Sequence, residues 1–267
     1  VTVRYNDFNK DGALDAFLFA YNNGKEFPTL TRTTLVEQIS SLKKRIFYHS
    51  DYGKMGYKEL FSSAERDGAK ELVAFQLASV YIENKGGGNF ALKPLPMAAQ
   101  IAPINGVLPY DIDDDGNLDI LAIGNSYAPE ALSGRYDAAI GWVLKGDGEG
   151  NFVPLLPQQS GFVVRGDARS LVKFQRADRT SMIMASVNSG PLKLFQEREK
   201  RNILSLPRGT VYALYALSNG KQRKEEFFYG SSYLSQSGRF ITLDKHIKKL
   251  RCVGQNGKII MERDLQN

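Results

Sequence analysis

Short apolar blocks separated by turn residues run through most of this chain, and only one stretch carries a clear helical period. Ala16 to Ala20 and Ile120 to Ile123 are apolar runs of strand length. Leu72 to Ile82, Phe90 to Leu95, Gly106 to Tyr110, Asp119 to Gly124, Asp137 to Lys145 and Asn151 to Leu155 also read as strands, and the turn at Gly86 to Gly88 predicts a hairpin. Further strands are predicted near Ser170 to Phe174, Met182 to Ser186 and Leu192 to Phe195. The exception is Thr33 to Phe47. There Leu35, Ile39, Leu42 and Ile46 recur at helical spacing, and Thr34 with Glu37 has the capping-box pattern. A second helix is predicted over Tyr57 to Arg66, which places a helical insertion near residues 31–70 of an otherwise all-β chain.

The chain also repeats itself. Asn84-Lys85-Gly86-Gly87-Gly88-Asn89-Phe90 resembles the stretch from Lys145 to Phe152, and Leu95-Pro96 and Leu156-Pro157 follow in turn, about 62 positions apart. Four strands per unit of about 60 residues describe a β-propeller blade. About three such units are expected: one split by the insertion between its inner and outer strand pairs, one centred on Gly106 to Leu155, and one over Gly161 to Phe195. The charged run Gln196 to Arg201 suggests a linker and a boundary near residue 200. Blades would then occupy residues 1–200, and residues 201–267 a small β-sandwich-like module. Its strands are expected near Val211 to Leu217, Glu226 to Phe228, Phe240 to Thr242, Lys249 to Val253 and Ile259 to Glu262, with turns at Gly220 and Asn256-Gly257.

Two acidic loops carry the candidate chemistry. Asp111 to Asp119 reads DIDDDGNLD, and Asp7 to Asp15 reads DFNKDGALD. Asp111, Asp113, Asp115 and Asp119 fall at positions one, three, five and nine, with Gly116 at the turn and Asn117 as carbonyl donor; Asp7, Asn9, Asp11 and Asp15, with Ala13 as donor, fill the same places in the other loop. This is a hard-oxygen donor set of calcium type. Two bare carboxylates about 4 Å apart repel by roughly 4 kcal/mol at an effective dielectric near 20, and a divalent cation reverses that sign. An EF-hand needs a bidentate Glu at position twelve, where this chain has Leu18 and Ala122, so that reading fails. Two Ca2+ sites are expected, each loop leading into a strand. The corresponding loop of the third unit, Gln175 to Thr180, lacks the aspartates, and no calcium is expected there.

Composition narrows the function classes. The 267 residues include 42% hydrophobic and 24% charged side chains, which argues against disorder. A net charge of +6 could suit an anionic partner, but the cations are dispersed near Lys43 to Arg45, Glu197 to Arg201, Lys221 to Lys224 and Lys245 to Arg251 without a nucleic-acid motif. No nucleic-acid partner is therefore expected. Cys252 is the sole cysteine, which excludes an intrachain disulfide and suggests a buried apolar role. No apolar run is long enough to span a bilayer. Val1 suggests a trimmed fragment, with any export signal or membrane anchor upstream. Oxygen cages of modest affinity suit calcium-rich surroundings, so export is expected.

The DxDxDGxxD-like loops followed by strands, together with the GxGxF-type hairpins, resemble the FG-GAP or VCBS-type repeats of calcium-binding β-propellers, repeats also found in the integrin alpha head. Tyr229 to Ser237 (YGSSYLSQS), with Asn256-Gly257-Lys258 after it, is similar to the ASPIC/UnbV module that often ends bacterial VCBS-repeat and cartilage-acidic-protein-like chains. The resemblance implies calcium at Asp7, Asn9, Asp11, Ala13 and Asp15, and at Asp111, Asp113, Asp115, Asn117 and Asp119. It also implies an exported bacterial protein in the periplasm, at the outer-membrane surface or outside the cell, with binding or adhesion as its role. Propellers of this type usually close with seven blades. Either further blades lie upstream of Val1, or about three form an open arc.

The leading expectation is a non-enzymatic, calcium-stabilised scaffold that meets a protein or glycan ligand. The alternative is a propeller-borne carbohydrate-active enzyme, a hydrolase or lyase, for which Glu130, Arg135, Tyr136 and Asp137 could line a cleft. His49 and His246 lack a nearby nucleophile motif, and burial explains Trp142 more simply than sugar stacking. No catalytic residue is assigned.

Overall fold

The computed structural model describes residues 1–131, 133–197 and 201–265. It is mostly β, built of small antiparallel sheets, and its chain forms two compact units, Val1–Leu77 and Ala78–Asn267. The segments on either side of position 200 thus share one unit. Of the charged run read as a linker, Arg198, Glu199 and Lys200 lie outside the described residues. Among the described residues no helix is long and apolar enough to cross a membrane.

In the first unit, β1 (Thr2–Asn6), β2 (Asp15–Asn22), β3 (Lys25–Pro28) and β4 (Lys70–Val73) form a sheet of order β3-β2-β1-β4. Along β2, Asp15, Phe17 and Phe19 are buried, while Ala16 and Leu18 face outward. That alternation buries one face of the sheet, where Phe8, Phe17 and Phe19 meet Leu35, Ile39, Leu42 and Ile46 of the insertion. All four residues picked out by helical spacing are therefore core.

The helical boundaries differ from expectation. The first segment is an α-helix over Arg32–Gln38 followed by a 3₁₀ turn over Ser40–Lys44, broken at Ile39 (φ −120°, ψ 88°). Ser40 and Ser41, poor helix formers, stand at the break. The cap is Thr31, whose hydroxyl accepts from Thr34 N, and not the expected Thr34–Glu37 box. Tyr57 to Arg66 is two single turns, Tyr57–Leu60 and Ser63–Arg66, because Ser62 and Glu65 form a capping box that starts the second afresh.

The expected strand Leu72 to Ile82 is also two elements. Its first part lies in β4, paired with β1, and its second in β5 (Val80–Gly86), which pairs with β6 (Asn89–Pro94) as the predicted hairpin. The partner that β2 takes next is β3, through a turn in which Asn23 (φ 49°) and Gly24 (φ 77°) both lie in the left-handed region. The first four-strand unit as read from sequence, β1 and β2 with the later hairpin, is therefore corrected: β3 and β4 flank that strand pair, and β5-β6 is a separate sheet in the second unit.

The second unit continues with β7 (Ile104–Tyr110), β8 (Asp119–Gly124), β9 (Trp142–Gly146) and β10 (Phe152–Leu155), a sheet of order β10-β9-β8-β7. Next come β11 (Ala168–Gln175), β12 (Ser181–Val187) and β13 (Lys193–Gln196), a three-stranded sheet. These two sheets share a core in which Leu108, Leu121, Ile123 and Val143 pack with Leu171, Ile183 and Ala185. A glycine is required at the closest approach, since a Cβ on Gly106 would lie 2.9 Å from Ile123 Cγ1 and 3.2 Å from Leu171 Cβ. Trp142 is buried, and its Nε1 donates to Ala98 O at 2.6 Å.

The remaining strands are β14 (Asn202–Ser205), β15 (Thr210–Leu217), β16 (Gln222–Glu226), β17 (Phe240–Leu243), β18 (Ile247–Gly254) and β19 (Ile259–Asp264). They form a β14-β17 pair and a sheet of order β16-β15-β18-β19, and one core joins Ala213, Tyr215, Leu250 and Cys252 to Ile241. Cys252 is fully buried, and burial pushes its thiol pKa up, away from thiolate chemistry.

Candidate metal centre

The two aspartate loops are hairpin connections of one design. Asn6 pairs with Asp15 across the first, and Tyr110 with Asp119 across the second. At position four the backbone turns left-handed, at Lys10 (φ 62°) and Asp114 (φ 60°), and again at position six, at Gly12 (φ 90°) and Gly116 (φ 89°). The hydrogen bonds repeat as well. Asp7 accepts from Asp11 N at 3.0 Å and Gly12 N at 2.9 Å, and Asp111 accepts from Asp115 N at 3.2 Å and Gly116 N at 3.0 Å. The fifth-position Asp11 and Asp115 each accept from the seventh-position N–H, of Ala13 and Asn117, at 2.8 Å. These bonds tie the carboxylates to the loop backbone and fix its turn.

The ninth position anchors the loop to the sheet. Asp15 accepts from Phe8 N at 3.2 Å and Gln38 Nε2 at 2.8 Å, and Asp119 from Ile112 N and Gly146 N, both at 2.8 Å. Both side chains are buried. Each oxygen already holds one donor, which leaves one lone pair apiece for any ligand role.

Asp111, Asp113 and Asp115 come together, with ligand oxygens within 4.8 Å of one another. Oxygens on opposite sides of one Ca2+ stand about 5 Å apart, so the spacing fits a single hard cation. The group could hold a metal ion. Lys145 Nζ, which contacts Asp113 and lies 3.3 Å from Asp115 Oδ2, caps these acids from the half-exposed side, and its hydrogen bond to Asp113 raises its pKa. In the first loop Asp7, Asn9 and Asp11 hold one another, Asn9 Nδ2 donating to Asp11 Oδ2 at 2.8 Å, but its carboxylates are not among the converging groups.

A second group, Asp111, Asp114 and Asp244, also converges, and sequence spacing gave no sign of it. Asp244 follows β17, more than 100 positions beyond the loop. It pairs with Arg223 Nη2 at 2.8 Å, while Arg223 Nη1 donates to Gly116 O at 2.9 Å. Arg201 Nη1 donates to Asp111 O at 2.6 Å and Nη2 to Ile112 O at 3.3 Å. His246 Nε2 donates to Asp114 O at 2.9 Å, and its ring packs on Gly116, where an added Cβ would come within 3.2 Å. The histidine therefore has a packing role, and these residues buttress the loop through its carbonyls.

Burial lifts the Asp111 carboxyl to a pKa of about 6; the Gly116 N–H lowers it and the nearby Asp244 charge raises it. Burial likewise raises Asp119 and Glu197. Folded-state values above the unfolded ones mean that the native protein binds more protons, so the stability they confer is complete at low pH and lost as pH rises through about 6 for Asp111. The lowered groups Glu59, Glu65, Glu83 and Glu262 act oppositely, but only below their unfolded value of 4.5, and Asp147 only below 3.8. In chelator, the melting temperature is therefore expected to rise as pH falls from 7.5 to 5, and calorimetry of Asp111→Asn should show a smaller rise.

Elsewhere, Glu130, Arg135, Tyr136 and Asp137 are exposed, and Arg135 stacks over Tyr127 at 4.3 Å. His49 is exposed, and the Gln175–Thr180 turn carries one carboxylate, Asp178, which accepts from Thr180 N at 3.0 Å. Comparison with known proteins matched no family model to this chain and no curated sequence.

Proposed function

We propose that the chain is a calcium-stabilised interaction scaffold of β-propeller type, exported to the periplasm, the outer-membrane surface or the medium, and that it engages a protein or glycan ligand. One observation carries this reading: Asp111, Asp113 and Asp115 converge in a loop whose turns and hydrogen bonds recur at Asp7 to Asp15. Calcium is the assigned ion because every donor is a hard oxygen. Its role is structural, joining strands that already pair across each loop. The small antiparallel sheets would be blades of a larger or open propeller. The hydrolase or lyase reading ranks lower, since Glu130 and Asp137 lie exposed without an acid–base arrangement.

Calorimetric titration tests the assignment. Two calcium ions per chain are expected, with Asp111→Ala and Asp7→Ala each removing one. A single ion lost with Asp111→Ala would restrict the site to the second loop. No calcium heat at any concentration up to the order of 10 mM would reject the calcium reading.

A further inference from the structure

A cleft in the second unit is lined by Val107, Leu108 and Pro109 of β7, by Lys224, Glu225 and Glu226 of β16, and by residues of the segment from Phe227 to Arg239, enclosing about 290 Å³. Successive side chains of a strand point to opposite faces. Both strands nevertheless contribute three consecutive residues to the lining, as a strand's edge would. β7 and β16 are terminal in their sheets, and the backbone bonds beyond the regular ladders give neither strand a partner on its outer side among the described residues. Unpaired strand edges invite an added strand.

The cleft also has a preferred charge. Lys173, almost fully buried, pairs with Glu225 at 2.9 Å, and Lys224 pairs with Glu226 at 2.5 Å. Arg239 donates to Phe227 O and Thr210 O and stacks over Tyr229, with no carboxylate partner among the described residues. The lining therefore carries one uncompensated positive charge. Val107 and Phe228 add exposed apolar surface beside it, at 45% and 61% exposure.

We infer that this cleft binds an extended peptide segment of a partner protein, added as a strand, with an apolar side chain against Val107 and Phe228 and an acidic one facing Arg239. The inference names the partner of the scaffold proposed above and rests on that reading. Pro109 interrupts the row of donors on β7, so β16 is the edge with the complete set of donors and acceptors. The volume lies at the low end for ligand pockets and suits an anchor of two or three residues.

Random linear heptapeptides displayed on phage should be selected on the full chain in calcium buffer, and the enriched peptides measured by fluorescence anisotropy. Enrichment of sequences with Asp or Glu beside a branched apolar residue is expected. Val107→Arg, at an exposed position, should weaken them roughly tenfold, and Arg239→Gln should weaken them less and flatten their salt dependence. Glu130→Ala, at an exposed position outside the cleft lining, should leave them unchanged. Absence of enrichment over an unrelated protein, binding indifferent to Val107→Arg, or a glycan displaced by that variant in place of any peptide would each overturn the inference. Calcium-dependent melting is read on the same samples. An intact calcium response without peptide binding rejects the cleft alone, whereas loss of both rejects the scaffold as well.

Discussion

Saturating calcium is expected to raise the melting temperature of the unit containing Asp111 by about 5–10 °C. A ligand at a hundredfold its Kd stabilises the folded state by about 2.7 kcal/mol, and a domain of this size shifts by about 2–4 °C per kcal/mol. At the tight end of the extracellular range, a Kd near 10⁻⁴ M, that excess needs on the order of 10 mM calcium. Repulsion among Asp111, Asp113 and Asp115 is the term that the ion removes, and burial of Asp111 sharpens it. Asp111→Ala and Asp115→Ala should therefore lose most of the gain. Each should also leave the ion-free protein less affected than a core substitution would. Scanning calorimetry with calcium, magnesium and chelator reads all three outcomes, and equal melting temperatures in calcium and chelator would refute structural calcium.

Phe61→Ala should be more damaging still, costing the first unit about 3–5 kcal/mol. Phe61 is 1% exposed and stacks on Phe8 at 4.3 Å and on Phe17 at 5.5 Å. Phe8 lies in the first aspartate loop and Phe17 in β2, so one ring ties the insertion to both. A unit of 77 residues has on the order of 4–12 kcal/mol in all, so this loss removes a large share of its stability. Leu18→Ala, on the outward face of the same strand and 40% exposed, should cost under about 1 kcal/mol. Limited proteolysis within residues 1–77 distinguishes the two; similar protection in both variants would mean that the insertion does not rest on this ring.

The parts that sequence made legible share a local cause. Leu35, Ile39, Leu42 and Ile46 announced the packed face of the insertion because helical periodicity depends only on neighbours within two turns. The aspartate loops were legible because nine contiguous residues fix their own turn, down to the paired left-handed positions. Asn23-Gly24 was an equally local signal for β3, and following the repeat in place of that turn misassigned the partner of β2. The strand expected from Leu72 to Ile82 failed differently: its composition is uniform, and only pairing with β1 on one side and β6 on the other divides it. Asp244, Arg223, Arg201 and His246 gave no signal at all, since what brings them to the second loop is packing across 90 to 132 positions of chain.

That dependence bears on how the chain can be dissected. The carbonyls of Asp111, Ile112, Asp114 and Gly116 are each engaged by a side chain from beyond residue 200. A fragment ending before Arg201 would deprive four carbonyls of the loop of their donors at once and return them to solvent, so the tail is a wall of the aspartate turn. Grafting the nine-residue motif onto another hairpin would transplant the aspartates without their scaffolding.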